Sequence, residues 1–279
     1  MSNGILKGKR GIIFGALDSK SIAWKVAEHA KAEGAEIVLT NAPIALRMGT
    51  INELAEKINS IVIPADATNM EDLKNLYEKS VEHFGGKIDF VLHSIGMSVN
   101  VRKGKKYYEQ NHDWTMKGYD VSALSFHKTM QAAWELDALN EYGSVIGLSY
   151  IAAQRVFHTY NDMADNKAML ESIARSFGYH YGLRRKVRVN TISQSPTDTT
   201  AGSGVAGFDG FYRFANDLSP LGNATSDECA DYCVSLFSDY TRKVTMQNLF
   251  HDGGFSFTGM SETAMDTYLK MMEEEKTNK

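Results

Sequence analysis

Seven short apolar runs, separated by longer amphipathic stretches, most restrict the fold of this sequence. The runs are rich in Ile, Val, Leu and Phe without polar alternation, a pattern typical of strands that are covered on both faces of a parallel sheet. The predicted strands are Gly11–Gly15, Glu36–Thr40, Ser60–Pro64, Ile88–His93, Ser144–Ser149, Val187–Ile192 and Asn248–His251.

The stretches between these runs have the periodicity of amphipathic helices. In residues 21–33, for example, Ile22, Val26 and Ala30 fall on one stripe. Further helices are predicted near 51–58, 70–84, 113–139, 160–182, 226–238 and 261–275. Repeated alternation of strand and helix favours right-handed parallel crossovers. We therefore predict an α/β fold, with a doubly wound, Rossmann-type parallel sheet of about seven strands flanked by helices.

The chain is predicted to form one domain over residues 1–279. No Pro- or Ser-rich linker and no internal repeat divides it, and it contains four prolines. Its length suits one α/β domain with a full core. Apolar residues make up 43% and charged residues 23%, close to the average of soluble globular proteins, which excludes disorder as the dominant state.

Charge and cysteine content restrict partners and compartment. Thirty Lys and Arg against 34 Asp and Glu give a net charge of −4, with no basic excess for binding nucleic acid. Two cysteines are too few for a secreted disulfide scaffold. The first residues are too polar for a signal peptide, and no apolar run approaches membrane-spanning length. We expect a cytoplasmic protein without a metal site, in which Cys229 and Cys233 are buried thiols.

The turn after the first strand is typical of dinucleotide binding. Gly15 permits a tight turn there, and the following helix would present free N–H groups to a pyrophosphate. Ser21 can cap that helix or bind a phosphate. Asp66, after the third strand, can accept a hydrogen bond from adenine or be a solvated loop carboxylate.

The end of the second strand leaves the cofactor open. It reads Thr40-Asn41-Ala42-Pro43, with neither the acidic residue that binds a ribose 2′-hydroxyl nor the Arg that binds a 2′-phosphate. Arg47 can turn back toward this point or lie in solvent.

A tyrosine and a lysine after the fifth strand are the candidate catalytic pair. Tyr160 and Lys167 are seven residues apart on a predicted helix, about two turns, so both would project from nearly the same face. A nearby ammonium favours a phenolate and can stabilise an oxyanion. The alternative is a packed tyrosine beside a surface lysine.

These residues resemble the NAD(P)H-dependent enoyl-acyl-carrier-protein reductases, a divergent branch of the short-chain dehydrogenase/reductase superfamily. That family has Tyr-x6-Lys, as in Tyr160 and Lys167, with another tyrosine ten residues upstream, here Tyr150. The Tyr-x3-Lys pair of most of the superfamily does not occur in this sequence. Other matching blocks between about residues 5 and 257 are Gly15-x5-Ser21-Ile22, His93-Ser94-Ile95-Gly96, Val187-Arg188-Val189-Asn190-x-Ile192-Ser193 and His251-Asp252-Gly253-Gly254-Phe255-Ser256.

The resemblance implies hydride transfer from NAD(P)H to the β-carbon of a trans-2-enoyl thioester in bacterial fatty-acid elongation. Tyr160 would stabilise the enolate oxygen, Lys167 would bind the nicotinamide ribose, and Tyr150 would line the substrate pocket. NADH is the favoured cofactor, and NADPH stays open. The residues implied to bind the dinucleotide are Gly15, Ser21, Ile22, Asp66, Ala67, Ser94, Ile95, Gly96, Lys167, Pro196 and Thr197. Those implied to bind substrate are Gly96, Met97, Tyr150, Tyr160, Phe208 and Phe211.

Two segments depart from the pattern of the family. Ser195-Pro196-Thr197 replaces a glycine before the proline and an aliphatic residue after it, so Thr197 is expected to alter the nicotinamide contact. The residues before Lys167 are more polar than usual, and Asp165 is expected to point away from that lysine.

The resemblance also implies a mobile segment, a carrier-protein partner and a homotetramer. Residues 198–222 are expected to be a mobile segment that covers the acyl chain, or else an ordinary amphipathic helix. The basic run 102–106 can steer an acidic acyl carrier protein or be a solvated loop. A homotetramer packed through helices 113–139 and 160–182 is implied. The alternatives are a related reductase of another enoyl or carbonyl compound, and a non-catalytic dinucleotide sensor.

Overall fold

A computed structural model describes residues 3–48, 50–205 and 207–277. Seven parallel strands form one sheet in the order β3-β2-β1-β4-β5-β6-β7. The strands are β1 (Arg10–Phe14), β2 (Glu36–Thr40), β3 (Ile61–Val62), β4 (Ile88–His93), β5 (Leu139–Ser149), β6 (Arg188–Gln194) and β7 (Asn248–His251). The predicted α/β class and doubly wound sheet are confirmed, and every predicted strand overlaps an observed one.

Helices cover both faces of this sheet. They are α1 (Ile22–Ala32), α2 (Pro43–Met48), α3 (Ile51–Lys57), α4 (Met70–Phe84), α5 (Val99–Arg102), α6 (His112–Tyr119), α7 (Ser125–Glu135), α8 (Asp162–Arg185), α9 (Phe208–Leu218), α10 (Ser226–Phe237) and α11 (Glu262–Thr277). The helix predicted over 113–139 is longer than the observed one, since α7 ends at Glu135 and β5 begins at Leu139. A π-helical turn, 120–124, joins α6 to α7.

Two apolar layers lie on opposite faces of the sheet. One includes Trp24 and Val26 of α1 with Phe237 of α10, and the other includes Leu76 of α4 and Met130 of α7. Burial of both faces explains why the strands lack polar alternation. Cys229 and Cys233 are buried free thiols in the first layer, as predicted.

Strand order reverses between β1 and β4, because the chain moves outward through β2 and β3 and then returns to the other side of β1. Carboxyl ends that diverge at such a point leave a crevice for ligands. Among the described residues, no helix has both the length and the apolar character needed to cross a bilayer.

Candidate active site

A cavity of about 410 Å³ opens beyond the carboxyl ends of the central strands. It is lined by residues from the turns after β1, β4, β5 and β6, together with α8 and α9. The predicted site residues among its lining are Gly15, Ser21, Ile22, Ser94, Ile95, Gly96, Met97, Tyr150, Tyr160, Lys167, Pro196, Thr197, Phe208 and Phe211. The sheet thus brings residues that are up to 196 positions apart in sequence to one crevice.

Gly15 lies where the ends of β1 and β4 approach each other most closely. Its φ is +94°, and a Cβ at this position would lie 2.0 Å from the backbone oxygen of Ser94. Both the positive φ and the close approach require glycine. The backbone turn therefore opens space for a ligand beside the start of α1.

Ser21 is the N-cap of α1. Its Oγ accepts hydrogen bonds from the backbone N–H groups of Trp24, at 3.4 Å, and Leu17, at 3.3 Å, and donates to the carbonyl of Asp18 at 2.8 Å. The capping role predicted for Ser21 is confirmed. The N-terminus of α1 faces the cavity through Ser21 and Ile22, where the helix dipole favours an anion.

Lys167 is buried in the wall of the cavity. It projects from α8, its side chain lines the cavity, and its Nζ donates to the carbonyl of Leu148 at 2.7 Å. Burial lowers the pKa of Lys167 to about 8, and the carboxylate of Glu171 opposes that shift. The surface-lysine alternative is excluded, because this ammonium is 7% exposed and faces the site.

Tyr160 lies outside the helix on which it was predicted. Helix α8 begins at Asp162, and Asn161 before it has a φ of +46°. The argument that Tyr160 and Lys167 share one helical face was therefore wrong, although both side chains line the cavity. Burial raises the pKa of Tyr160, so the expected shift toward phenolate is also absent. The hydroxyl is thus a hydrogen-bond donor at neutral pH.

Tyr150 joins an aromatic cluster beside Tyr160. The ring centroids of Tyr150 lie 5.1 Å from Tyr160, 5.3 Å from Phe157 and 5.7 Å from Phe211. Burial raises the pKa of Tyr150, and its buried hydroxyl has no hydrogen-bond partner within the described residues. An unsatisfied buried hydroxyl at a cavity is free to bind a ligand atom.

Residues at the end of β6 and directly after it form a hydrogen-bonded part of the cavity wall. Thr197 Oγ1 donates to the carbonyl of Ser195 at 3.0 Å and accepts from Gln194 Nε2 at 3.1 Å. The Gln194 Oε1 is 2.8 Å from His251 Nδ1. The polar replacement at Thr197 is therefore accommodated, because neighbouring polar groups satisfy its hydroxyl.

Asp66 and Ala67 lie apart from the other predicted dinucleotide residues, since neither belongs to the cavity lining. Asp66 Oδ1 instead accepts from the backbone N–H of Thr68 at 2.9 Å and from its hydroxyl at 2.7 Å. Their contact with adenine stays a prediction.

The end of β2 reaches the cavity through Asn41. The Asn41 amide donates to the carbonyl of Ala16 at 3.2 Å, and its Oδ1 accepts from the N–H of Ala42 at 2.9 Å. Arg47 is exposed on α2 and does not line the cavity. The side chain that follows β2 at the cavity is thus neutral.

The segment 198–222, hereafter the covering segment, contains an amphipathic helix that also lines the cavity. Phe208 and Phe211 of α9 border the site, whereas Ala215 and Leu218 are buried below. The segment is therefore both an amphipathic helix and part of the cavity wall, so the two alternatives given for it are compatible. Its mobility stays a prediction.

Three of the residues that sequence reasoning missed bear on the chemistry of the site. Met163 lines the cavity, and a Cβ at Gly96 would lie 2.7 Å from its Cε. Glu171 is 4% exposed and accepts hydrogen bonds from Ser149 Oγ at 2.7 Å and Gln154 Nε2 at 3.2 Å. Gln194 is the third. A signal existed for Met163 and Glu171, because each lies four residues, about one helical turn, from Lys167.

The basic run borders the same opening. Arg102 lines the cavity, and the run from Arg102 to Lys106 is exposed. Within the described residues, none of its four cations forms an ion pair with a carboxylate. Asp165 instead lies 3.3 Å from the hydroxyl of Tyr107, turned away from Lys167 as expected.

Comparison with known proteins identifies the family. The family profile described as enoyl-(acyl carrier protein) reductase matches residues 15–256. This chain belongs to the enoyl-(acyl carrier protein) reductase family. The family predicted from Tyr160, Lys167 and Tyr150 is thereby confirmed, and the ketone-reductase and sensor alternatives lose their support.

Curated relatives and solved structures of this family share its length and fold. The chain is 33% identical to enoyl-[acyl-carrier-protein] reductase [NADH] 2 of Rhizobium meliloti (strain 1021), over 92% of this chain and 95% of the relative. It is 64% identical to the FabI–NADH complex of Alistipes finegoldii, with a TM-score of 0.93 and coverage of 95% and 94%. A Bacillus cereus enoyl-acyl carrier protein reductase solved with NADP+ is 30% identical, with a TM-score of 0.86 and coverage of 93% and 100%.

Proposed function

We propose that this protein is an NADH-dependent enoyl-acyl-carrier-protein reductase, which saturates the double bond of trans-2-enoyl thioesters in fatty-acid elongation. The observation that carries the proposal is the convergence of Tyr150, Tyr160 and Lys167 on the cavity that Gly15 and Ser21 also border. Family membership supports the same activity.

The residues that are present fit a dinucleotide. Gly15 and the N-terminus of α1 offer an anion site beside the strand ends. Lys167 is buried with one carbonyl partner, so the remaining hydrogens of its ammonium can bind ribose hydroxyls. Ser94, Ile95 and the other predicted residues after β4 continue the same wall. When bound, the reduced nicotinamide supplies the hydride.

The tyrosines act on the thioester end of the substrate. The protonated Tyr160 donates a hydrogen bond to the thioester carbonyl, and this bond strengthens as negative charge develops on that oxygen. Tyr150 offers a second hydroxyl that is buried and unsatisfied. The positive charge of Lys167 lowers the energy of the enolate, which then takes a proton from solvent water at its α-carbon to give the saturated thioester.

The covering segment excludes water from the acyl chain. Phe208 and Phe211 line the cavity, and the ring of Phe211 packs against Tyr150. Movement of this segment would admit the substrate and then close over it. The ring contacts between Phe157 and Phe211, with centroids 5.7 Å apart, would form and separate in that movement.

NADH is the proposed cofactor, and two observations support it. The relative from Rhizobium meliloti carries NADH in its name, and the Alistipes finegoldii structure is a complex with NADH. The neutral Asn41 after β2, with Arg47 exposed elsewhere, provides no cation for a 2′-phosphate. Asp66 and Ala67 are proposed to contact the adenine, as their place after β3 suggests.

The substrate is proposed to arrive on an acyl carrier protein. Arg102 lines the cavity and the exposed cations of Lys103, Lys105 and Lys106 follow it in sequence, so the run would attract an acidic carrier to this opening. We further propose a cytoplasmic location, which the two free cysteines support. A homotetramer is proposed because α6 and α8 expose large apolar side chains, among them Met116, Tyr179 and Leu183.

A direct spectrophotometric assay tests the activity. Purified protein is mixed with crotonyl thioester and either NADH or NADPH, and the loss of absorbance of the reduced cofactor is followed together with the saturated product by mass spectrometry. We expect turnover with NADH and a kcat/KM for NADPH lower by about tenfold or more. Absence of turnover with either cofactor would refute the proposed function.

Carrier docking is tested by charge reversal. Lys105→Glu and Lys106→Glu together should raise KM for the carrier-bound substrate by roughly tenfold at low salt, with little change for a carrier-free thioester. The matched control is Lys117→Glu on α6, outside the basic run. Equal effects on both substrates would exclude docking at 102–106.

A further inference from the structure

A fully buried carboxylate lies two residues after Tyr160. Asp162, the first residue of α8, has no solvent-exposed surface. Its Oδ1 accepts a hydrogen bond from Ser98 Oγ at 2.5 Å, and its Oδ2 accepts one from Asn100 Nδ2 at 2.9 Å. Within the described residues no Lys, Arg or His forms an ion pair with it. Burial of such a group is costly, so its neutral donors have to compensate.

Asn161 connects this carboxylate to Tyr160. It has φ +46° and ψ −137°, a conformation that is strained for a residue with a side chain. Its side chain is buried, Nδ2 donates to the carbonyl of Lys105 at 2.6 Å, and Oδ1 accepts from the N–H of Asp162 at 2.7 Å. Surrounding contacts of this kind are what allow a strained conformation to persist.

Three of these partners, Ser98, Asn100 and Lys105, come from one segment, residues 98–105, hereafter the anchor segment. Ser98 also caps α5, through a hydrogen bond of 3.0 Å from the N–H of Val101. Asn100 also binds Thr115 Oγ1 at 3.0 Å and accepts from the N–H of Asn111 at 3.0 Å. The anchor segment is therefore itself fixed by α6 and its preceding turn.

Tyr160 depends on this connection because it lies outside α8. Its carbonyl accepts from the N–H of Met163 at 3.1 Å, and its N–H donates to the carbonyl of Phe157 at 3.0 Å. The helix does not determine the direction of its side chain, since the backbone turns sharply at Asn161.

We propose that Asp162 and Asn161 are positioning residues, which direct the Tyr160 phenol into the cavity through their hydrogen bonds to the anchor segment. The proposal rests on the role given to Tyr160 in the proposed function. A carboxylate that only favoured the helix dipole would need no buried partners. Asp165 provides that comparison, since it is also in the first turn of α8 but contacts the hydroxyls of Tyr107 and Tyr119.

Asp162→Asn is the principal test. The substituted amide has only one acceptor oxygen, so it can accept from Asn100 or from Ser98 but leaves the other donor without its acceptor. We expect kcat for a carrier-free enoyl thioester to fall by about tenfold to hundredfold, the loss caused by a small misplacement of a catalytic group. The dissociation constant of NADH should change by less than about twofold, because the residues after β1 are untouched.

Asp165→Asn is the matched control, and its kcat should stay within about twofold of the unaltered protein. Equal losses in the two variants would overturn the proposal, as would an unchanged kcat in Asp162→Asn. Rates are normalised to the NADH-binding stoichiometry, so that misfolded protein does not contribute.

Exchange of the amide of Asn100 and the carboxyl of Asp162 distinguishes a positioning role from a general effect on stability. The double variant Asn100→Asp with Asp162→Asn restores one acceptor opposite one donor. We expect its kcat to exceed that of Asp162→Asn by at least about threefold. A double variant no faster than the single one contradicts the proposal.

One further measurement tests the positioning role if Asp162→Asn does not fold or if the unaltered protein reduces no enoyl thioester. Ser98→Ala removes one donor and should displace the Tyr160 ring in a crystal structure, a readout that needs no turnover. A Tyr160 ring unmoved in Ser98→Ala overturns the positioning role. Absence of turnover in the unaltered protein refutes the proposed function separately.

Discussion

The two sides of the cavity differ in how they are fixed. On the α8 side, Lys167 and Glu171 are buried and make side-chain hydrogen bonds of 2.7 Å to Leu148 and Ser149. On the opposite side, the covering segment meets the cavity through the half-buried rings of Phe208 and Phe211. Its hydrogen bonds include one at the C-terminal end of α9, where Ser219 Oγ donates to the carbonyl of Asp252 at 3.1 Å.

This difference predicts that the α8 side orients the reacting groups and that the covering segment controls entry of the substrate. Hydrogen bonds between buried groups restrict orientation, as the reacting groups require. Ring contacts are individually weaker and less directional, so they can be lost and regained as a segment moves. Changes on the α8 side should therefore act on kcat, and changes in the covering segment should act on KM.

The largest effect is expected for Tyr160→Phe. Loss of the hydroxyl removes the donor proposed to stabilise the enolate, so kcat should fall by about 10²–10³-fold. Affinity for NADH should be unchanged, as measured by fluorescence titration. A kcat within twofold of the unaltered protein would remove Tyr160 from the mechanism.

Lys167→Ala should affect two steps. The ammonium is proposed to bind the ribose and to stabilise the enolate, so both NADH affinity and kcat should weaken, each by roughly tenfold to a hundredfold. Lys186→Ala, at the far end of α8, is the control and should match the unaltered protein. Normal binding of NADH by Lys167→Ala would contradict the ribose contact.

The covering segment should respond differently. Phe211→Ala should raise KM for a long-chain enoyl thioester by about fivefold, which corresponds to roughly 1 kcal/mol, while kcat changes little. Phe214→Ala is the matched control on the same helix, since Phe214 is exposed and does not line the cavity. A selective fall in kcat in Phe211→Ala would break the contrast between the two sides.

The smallest expected effect concerns pH. Lys167 has a pKa lowered to about 8 by burial, so its charged form is lost as pH rises through 8. The kcat/KM for NADH reports the free enzyme and should fall on that alkaline side. Glu171→Gln removes a negative charge that raises the pKa of Lys167, so the alkaline limb should move to lower pH. A limb that stays in place or moves upward would exclude this coupling.

Much of the fold was predictable because it depends on short-range patterns. Each strand is a local apolar run, and the order of strands and helices leaves few topologies once crossovers are right-handed. The spacing between Tyr160 and Lys167 also predicted the site, although Tyr160 lies before α8 and the two residues do not share a helical face. Both residues line the cavity because the connection from β5 to α8 and the first turns of α8 border it.

The parts that were not predictable depend on contacts between distant residues. Gln194 and His251 are 57 positions apart, and no local pattern indicates that they form a hydrogen bond. The start of α8 after Tyr160 depends on the positive φ of Asn161, which the anchor segment stabilises. Burial likewise decides the ionisation of Lys167 and Tyr160, since desolvation is a property of the folded chain.

The amino-acid sequence by itself therefore determined the α/β class, the family and 14 of the residues that line the cavity, because periodicity and motif spacing are local. Only the tertiary structure decided which way Tyr160 enters the cavity, that Asp162 and Glu171 are buried beside the catalytic groups, and that Asp66 lies outside the cavity lining. Those properties depend on solvent exclusion and on partners brought from other strands, which exist only once the sheet has assembled.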